Sequence, residues 1–278
     1  MSAAGNPSLN VLVCMKFVPD PNLLQADPAT GGPDLKRAPL RIGTFDENAI
    51  EAALQLTAGG GGRVVAVSVC PQAPPRDVVL KALAMGVSAV YLVIDSEHLV
   101  GDPLRTATVL AAAARAVAAR ENLAHWDLLL CGEASADQYN EQVGPRLAAA
   151  LDLPAVTYAT RLAVEGAVLR ADRALGDRSE SVETALPALA SVGMEINTAR
   201  MPTVLQIMGA GRKPLVEMPL AELAGLDMAR LRASPTVELM EVFSPPSTRK
   251  QIVIKGDSAE EIVLELLRRL SADGEVRL

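Results

Sequence analysis

Short aliphatic runs alternate with segments of helical periodicity over the first half of the chain. The runs are rich in Val, Leu and Ile and predict buried strands at residues 10–17, 63–69, 89–94 and 127–131. Between them, apolar residues recur at helical spacing and predict helices at residues 46–56, 76–85, 103–120 and 140–151. This alternation indicates βαβ units and therefore an α/β fold with a parallel sheet flanked by helices.

The pattern changes after Pro154. Strands are predicted on either side of short turns at Glu165-Gly166 and Gly176-Asp177, at residues 156–164, 167–173 and 181–192. Short turns join antiparallel neighbours, so we expect an antiparallel extension on the same sheet. Residues 193–211 show no regular pattern, and residues 221–231 predict a short helix.

The C-terminal part has a different character. Residues 243–250 form a Pro/Ser linker, and a short strand is predicted at residues 251–254. Ser258 precedes Glu261 by three residues, as in a capping box, and opens a helix through Leu270 with one apolar stripe. The stripe either folds back on its own domain or docks on another subunit. We expect an α/β domain at 1–240 and a C-terminal linker and helical arm at 241–278.

Composition narrows the class of protein. Half of the residues are hydrophobic, 3% are aromatic, and the formal charge is −7. The apolar content excludes intrinsic disorder, and an acidic chain with few rings argues against nucleic-acid binding. No stretch is long and apolar enough to span a bilayer, and the start lacks the pattern of a secretory leader. We therefore expect a cytoplasmic protein without membrane insertion.

The reactive side chains predict neither a metal site nor a catalytic centre. Cys14, Cys70 and Cys131 are widely spaced and lie in or at the end of apolar runs, which is typical of buried free thiols in a reducing compartment. The chain has no CxxC and only two histidines, so no metal site is predicted. Nucleophile-elbow and P-loop motifs are missing from the sequence.

The loop after the fourth predicted strand, residues 131–145, is the main candidate for ligand binding. In parallel sheets ligands bind beyond the carboxyl ends of the strands. Small residues in this loop leave backbone N–H groups free for an anion, and Gly132 permits close approach. Asn140 and Gln142 carry amides for phosphate or ribose, which favours a Rossmann-like nucleotide-binding domain. A plain strand-to-helix turn with Asp137 as N-cap explains the same residues.

Segments along nearly the whole chain resemble the beta subunit of electron transfer flavoproteins. In order, they are VLVCMKFVPD at residues 11–20, FDENAIE at 45–51, ALAMG at 82–86, and the Gly132 loop through QVG at 142–144. Ile207-Met208 followed by Arg212-Lys213-Pro214 fits a further family run. The resemblance implies a heterodimer with a related alpha subunit, which the C-terminal arm wraps.

The resemblance also implies cofactors and protein partners. The alpha subunit holds the flavin adenine dinucleotide (FAD) that carries electrons between a dehydrogenase and an acceptor protein. The beta subunit binds a second nucleotide, which is AMP in simple carriers and a second FAD in bifurcating forms that oxidise NADH. A simple carrier is an electron-carrying subunit rather than a stand-alone enzyme, whereas the bifurcating form is an oxidoreductase.

Carried over by position, the resemblance implies two kinds of site. The nucleotide site comprises Cys14, Thr44, Phe45, Asp46, Val69, Cys70, Gly132, Glu133, Ala134, Ser135, Ala136, Asp137, Asn140, Gln142 and Val143. Dehydrogenases dock on a loop that matches residues 194–202, with Met194 or Ile196 as the apolar anchor.

The chain departs from the family pattern around the expected phosphate. Glu133-Ala134 replace a basic residue and a glutamine, Tyr139 replaces an aspartate, and Gly43-Thr44 replace Asn-Pro. These departures indicate that the chain resembles a divergent branch of the family. Two alternatives to a simple carrier stay open: a bifurcating, NADH-oxidising subunit, and a stand-alone adenine-nucleotide sensor.

Overall fold

A computed structural model describes residues 8–35, 37–97, 101–234, 237, 240 and 251–277. The chain divides into two compact units, Met1–Val242 and Phe243–Leu278. The predicted linker at residues 243–250 lies outside the described residues.

Strands and helices alternate over the first half, as the periodicity predicts. In chain order they are β1 (Asn10–Cys14), β2 (Phe17–Pro19), β3 (Leu40–Ile42), α1 (Thr44–Thr57), β4 (Arg63–Cys70), α2 (Arg76–Met85), β5 (Ala89–Ile94), α3 (Pro103–Arg120), β6 (Leu128–Gly132) and α4 (Val143–Leu151). The predicted strand at 10–17 is wrong as a single element, because β2 leaves the main sheet and pairs with β3. The predicted helix at 140–151 begins only at Val143.

The second half is less regular than its pattern suggests. Its elements are β7 (Ala155–Glu165), β8 (Val168–Leu175), β9 (Arg178–Ala185), β10 (Ala188–Val192), α5 (Val204–Ala210), β11 (Leu215–Pro219) and α6 (Met228–Ala233). The predicted strand at 181–192 is interrupted at Leu186-Pro187, where proline lacks a backbone donor. The predicted helix at 221–231 is wrong, since a 3-10 turn at Leu220–Glu222 precedes α6. No pattern pointed to β11.

Within the described residues, nine strands form one sheet in the order β11-β5-β4-β1-β6-β10-β7-β8-β9. Neighbours from β11 to β7 in this order are parallel, whereas β8 and β9 extend the sheet by antiparallel pairing. The predicted fold class is confirmed. Strand β10 departs from the expected antiparallel extension, because it inserts between β6 and β7 and runs parallel to both.

Side chains of β1 alternate between two cores. Val11 and Val13 pack on the face covered by α1 and α2, and Leu12 packs on the face covered by α3 and α4. Every core position of β1 is therefore apolar, as in a parallel strand buried on both faces. The helix after β1 and the helix before β6 lie on opposite faces, so a crevice opens between the carboxyl ends of these two strands, where doubly wound sheets bind ligands.

The C-terminal unit contains α7 (Ala259–Ala272). Ser258 caps it, accepting the Glu261 N–H at 3.2 Å, whereas the Glu261 carboxylate accepts from Asp257 rather than from Ser258. The apolar residues Val263 and Leu266 are 51% and 43% exposed. The predicted strand at 251–254 is wrong, because these residues pair with no strand among those that the structure describes. Among the described residues, no helix is both long and apolar enough to cross a membrane.

Candidate functional site

A cavity of about 360 Å³ opens at the carboxyl ends of β1, β4 and β6. The predicted nucleotide-site residues that line it are Cys14, Asp46, Val69, Cys70, Gly132, Glu133, Ala134, Ser135, Asp137, Asn140, Gln142 and Val143. The topology thus brings together residues that are more than 120 positions apart in the sequence. A volume of this size lies within the range of small-molecule sites, about 300–1,000 Å³.

Three predicted residues do not line the cavity. Thr44 begins α1, and Ala136 belongs to the loop but does not face the opening. Phe45 is buried, and its ring stands edge-on to that of Tyr139 with centroids 5.6 Å apart. Phe45 therefore supports the loop from behind.

Asp46 joins the two strands that border the crevice. Its carboxylate is 94% buried and accepts the Lys16 N–H at 2.9 Å, just beyond β1, and the Gly132 N–H at 3.4 Å, at the end of β6. Burial raises the pKa of this carboxyl to about 7, and the two backbone donors oppose that rise. Asp46 thus holds the cavity floor together through its acceptor oxygens.

Close packing between β6 and α1 requires glycine at position 132. A Cβ at this position would lie 2.5 Å from the Cβ of Phe45 and 2.9 Å from Oδ1 of Asp46. Contacts this short exclude any side chain. The close approach expected at Gly132 is therefore to α1.

Lys16 closes the loop after β6 over the cavity. Its Nζ donates to both carboxylate oxygens of Asp137, at 2.7 and 2.8 Å, and the two side chains are 39% and 29% exposed. This ion pair holds the pKa of the Asp137 carboxyl below its ordinary value, against the opposing effect of burial. The expectation that Asp137 caps the following helix is wrong, because Gln142 occupies the N-cap position. Lys16 places a positive charge at the cavity wall.

Acidic side chains gather at one rim of the cavity. Burial, together with Glu195 and Glu141, raises the pKa of the Glu133 carboxyl. The Glu141 carboxylate accepts a hydrogen bond from the Tyr158 hydroxyl, with the two oxygens 2.9 Å apart. The rim next to Glu133 thus repels anions, whereas at the wall formed by Lys16 the positive charge is balanced by Asp137.

The three cysteines all line the cavity, from the ends of β1, β4 and β6. Burial raises the pKa of Cys14 and of Cys70 to about 12, and that of Cys131 well above its ordinary value. Protonated thiols are poor nucleophiles and weak metal ligands. Within the part of the chain that the structure describes, no group of three or more His, Cys, Asp or Glu side chains could hold a metal ion.

One wall of the cavity was not predicted. Asp102, Pro103 and Thr106 bring the start of α3 to the opening. Asp102 caps this helix, accepting the N–H groups of Leu104 and Arg105 at 2.8 and 3.1 Å. The sequence did carry a signal for this wall, because Asp102-Pro103 marks the start of a helix after the predicted strand at residues 89–94. That strand is β5, and its carboxyl end lies beside that of β4, which borders the cavity.

Residues 194–208 carry exposed apolar side chains and do not line the cavity, although Glu195 at their start lies beside Glu133 at its rim. Met194 is 46% exposed at the start of a 3-10 turn, whereas Ile196 packs partly against the core. The residues that follow are more exposed: Met201 91%, Leu205 80% and Met208 73%. Sequence reasoning stopped at residue 202 and missed the exposed helix α5.

Fold and cavity define a doubly wound α/β protein with a ligand-sized crevice at its topological switch point. Residues 36–223 match the family model described as the electron transfer flavoprotein domain. The chain is 32% identical over 265 residues to the electron transfer flavoprotein subunit beta of Thermoanaerobacterium thermosaccharolyticum, covering 95% of this chain and 98% of that protein. It is 31% identical over 268 residues to the subunit of the same name from Megasphaera elsdenii, covering 95% and 98%. The chain belongs to the electron transfer flavoprotein family, as a beta subunit.

Proposed function

We propose that this chain, with an alpha subunit, passes electrons between a dehydrogenase and an acceptor protein through FAD held with that alpha subunit. The observation that carries the proposal is the cavity at the switch point of a beta-subunit chain. Its lining offers polar groups to a ligand, and the raised pKa of the cysteine thiols makes them poor nucleophiles, so we expect this chain to contribute binding rather than bond chemistry.

The cavity is proposed to bind the adenine nucleotide of this subunit. Backbone N–H groups of the loop after β6 and the Nζ of Lys16 are donors for a phosphate. The volume of about 360 Å³ is near the lower end of small-molecule sites. It favours AMP over a second FAD within this chain.

The apolar stripe of α7 is proposed to dock on the alpha subunit. Val263 and Leu266 in this stripe are 51% and 43% exposed, and a helix with such a stripe gains stability by burying it. Membership among beta subunits makes the alpha subunit the occupant. We propose the segment at residues 194–208 as the docking surface for the dehydrogenase, with Met194 and its exposed neighbours rather than Ile196 as apolar contacts.

The test is co-expression with the alpha subunit, followed by purification and mass spectrometry of the released nucleotides. We expect one FAD and one AMP per heterodimer, together with flavin absorbance. A colourless chain that never binds the alpha subunit would contradict the proposal.

Two FAD molecules per heterodimer and oxidation of NADH would identify the bifurcating alternative. A monomer that binds ATP without an alpha subunit would identify the nucleotide sensor. Glu133 weighs against the bifurcating form, because the two phosphates of a second FAD would bring more negative charge than AMP into a cavity that already has this carboxylate in its lining.

A further inference from the structure

The motif at residues 45–51, FDENAIE, supplies one residue to the cavity, yet three more of its polar side chains are buried. An α-helix advances about 100° per residue, so Asn48 and Glu51 share one side of α1, about 60° apart, and point away from Asp46. Asn48 and Glu51 are each 5% exposed. Buried polar groups of this kind require specific partners.

The partners lie in the apolar segment at residues 194–208. The Asn48 amide donates to the backbone and side-chain oxygens of Asn197 at 2.7 and 2.9 Å, and the Asn197 amide donates back to the Asn48 carbonyl at 3.0 Å. This reciprocal pair fixes the segment just after its 3-10 turn.

A second clamp lies three residues further along each element. The guanidinium of Arg200 donates to both carboxylate oxygens of Glu51, at 2.6 and 3.0 Å, and the Arg200 backbone N–H donates to the same carboxylate at 3.3 Å. These hydrogen bonds hold the pKa of the Glu51 carboxyl below its ordinary value. Met201, the next residue, is 91% exposed.

We propose that the motif is divided between two sites: Asp46 serves the nucleotide cavity, and Asn48 and Glu51 are positioning residues that set the conformation of the docking segment. Helix α1 is the common support, so one rigid element places the ligand site and the partner surface relative to each other. The functional part of this inference rests on the proposed dehydrogenase docking, whereas the positioning itself does not.

The test compares Glu51→Gln with wild type in the heterodimer with the alpha subunit. The control is Glu97→Gln, which removes a similar fork to Arg232, at 2.7 and 3.0 Å, between two exposed side chains outside α1 and residues 194–208. Amide hydrogen exchange in residues 194–208 should accelerate about tenfold or more in Glu51→Gln, because a buried charged hydrogen bond is lost. Released nucleotide, counted by mass spectrometry, should be unchanged.

A functional readout uses a purified dehydrogenase that reduces the wild-type heterodimer. We expect the KM for the heterodimer to rise about tenfold in Glu51→Gln with kcat unchanged, since only docking is disturbed. Arg200→Gln should give the same effects, and the double variant no more than either single one. The Arg200 side chain is 41% exposed, whereas that of Glu51 is 6% exposed. Arg200→Gln is therefore the milder change and replaces Glu51→Gln in the test if that variant fails to fold.

Unchanged exchange in residues 194–208 would overturn the positioning role. Faster exchange with an unchanged KM, or loss of nucleotide equal to that of a cavity variant, would overturn the division of the motif. If no dehydrogenase reduces the wild type, the proposed function fails, and the exchange measurement still judges Asn48 and Glu51 by itself.

Discussion

Replacing Asp46 by asparagine tests the electrostatics of the cavity floor. The substitution keeps the size of the side chain but removes its charge and one of the two oxygens that accept the N–H groups of Lys16 and Gly132. Burial raises the pKa of Asp46 from 3.8 to about 7 in the folded protein. The effect on stability therefore depends on pH.

The sign follows from proton binding. Between pH 3.8 and about 7 the folded protein keeps a proton on Asp46 that the unfolded chain releases, so the free energy of unfolding falls as the pH rises through this window. At about 1.36 kcal/mol per pKa unit, the ionised carboxylate costs the folded state about 4 kcal/mol above pH 7. The cost is absent below pH 3.8.

Asparagine lacks this pH dependence but leaves one buried N–H without its acceptor, which costs about 1–3 kcal/mol at any pH. We expect Asp46→Asn to be less stable than wild type near pH 4 by about that amount. Near pH 8 the variant should be the more stable protein by about 1–3 kcal/mol, because the loss is outweighed by the removed charge.

Urea unfolding at a series of pH values, followed by the fluorescence of the buried Trp126, measures both proteins. The quantity to plot is the difference between variant and wild type, in which the titrating groups that do not interact with Asp46 cancel. Asp177→Asn, at an exposed turn, is the matched control. A difference that stays constant between pH 4 and 8 would refute the reasoning.

Three further substitutions probe the loop after β6. Gly132→Ala should destabilise the protein by about 2 kcal/mol or more and release the nucleotide, because its Cβ overlaps α1; Gly209→Ala, with open space around it, is the control in the same denaturation and mass-spectrometry assays. Lys16→Gln should change stability by less than about 1 kcal/mol, since its pair with Asp137 is partly exposed. Its affinity for AMP, measured by calorimetry, should fall about tenfold with the loss of a charged donor; an unchanged affinity would remove Lys16 from the site. Glu133→Gln should bind AMP more tightly than wild type, and the gain should grow with pH as the wild-type carboxyl ionises. A gain that is equal at pH 5 and pH 8 would argue against repulsion by Glu133.

Much of the molecule follows from local pattern. Continuous aliphatic runs separated by amphipathic helices predicted β4, α2, β5, α3 and β6 within a residue or two, because such strands are buried on both faces. Of the nucleotide-site residues implied by the resemblance to the family, twelve line the cavity. The strands and helices rest on residues close together in the sequence, so the sequence by itself determined them, whereas the meeting of the site residues at one cavity required the topology of the sheet.

Contacts between distant residues decided the rest. The course of β10 through the middle of the sheet follows from its pairing with β6 and β7, which no local alternation of side chains encodes. Lys16 became part of the site because Asp137 lies 121 positions away in the sequence and 2.7 Å away in space. The two roles of the motif at residues 45–51 likewise required Asn197 and Arg200 to be brought against α1. Hydrogen bonds of this kind depend on tertiary packing, which places the partners of a buried polar group.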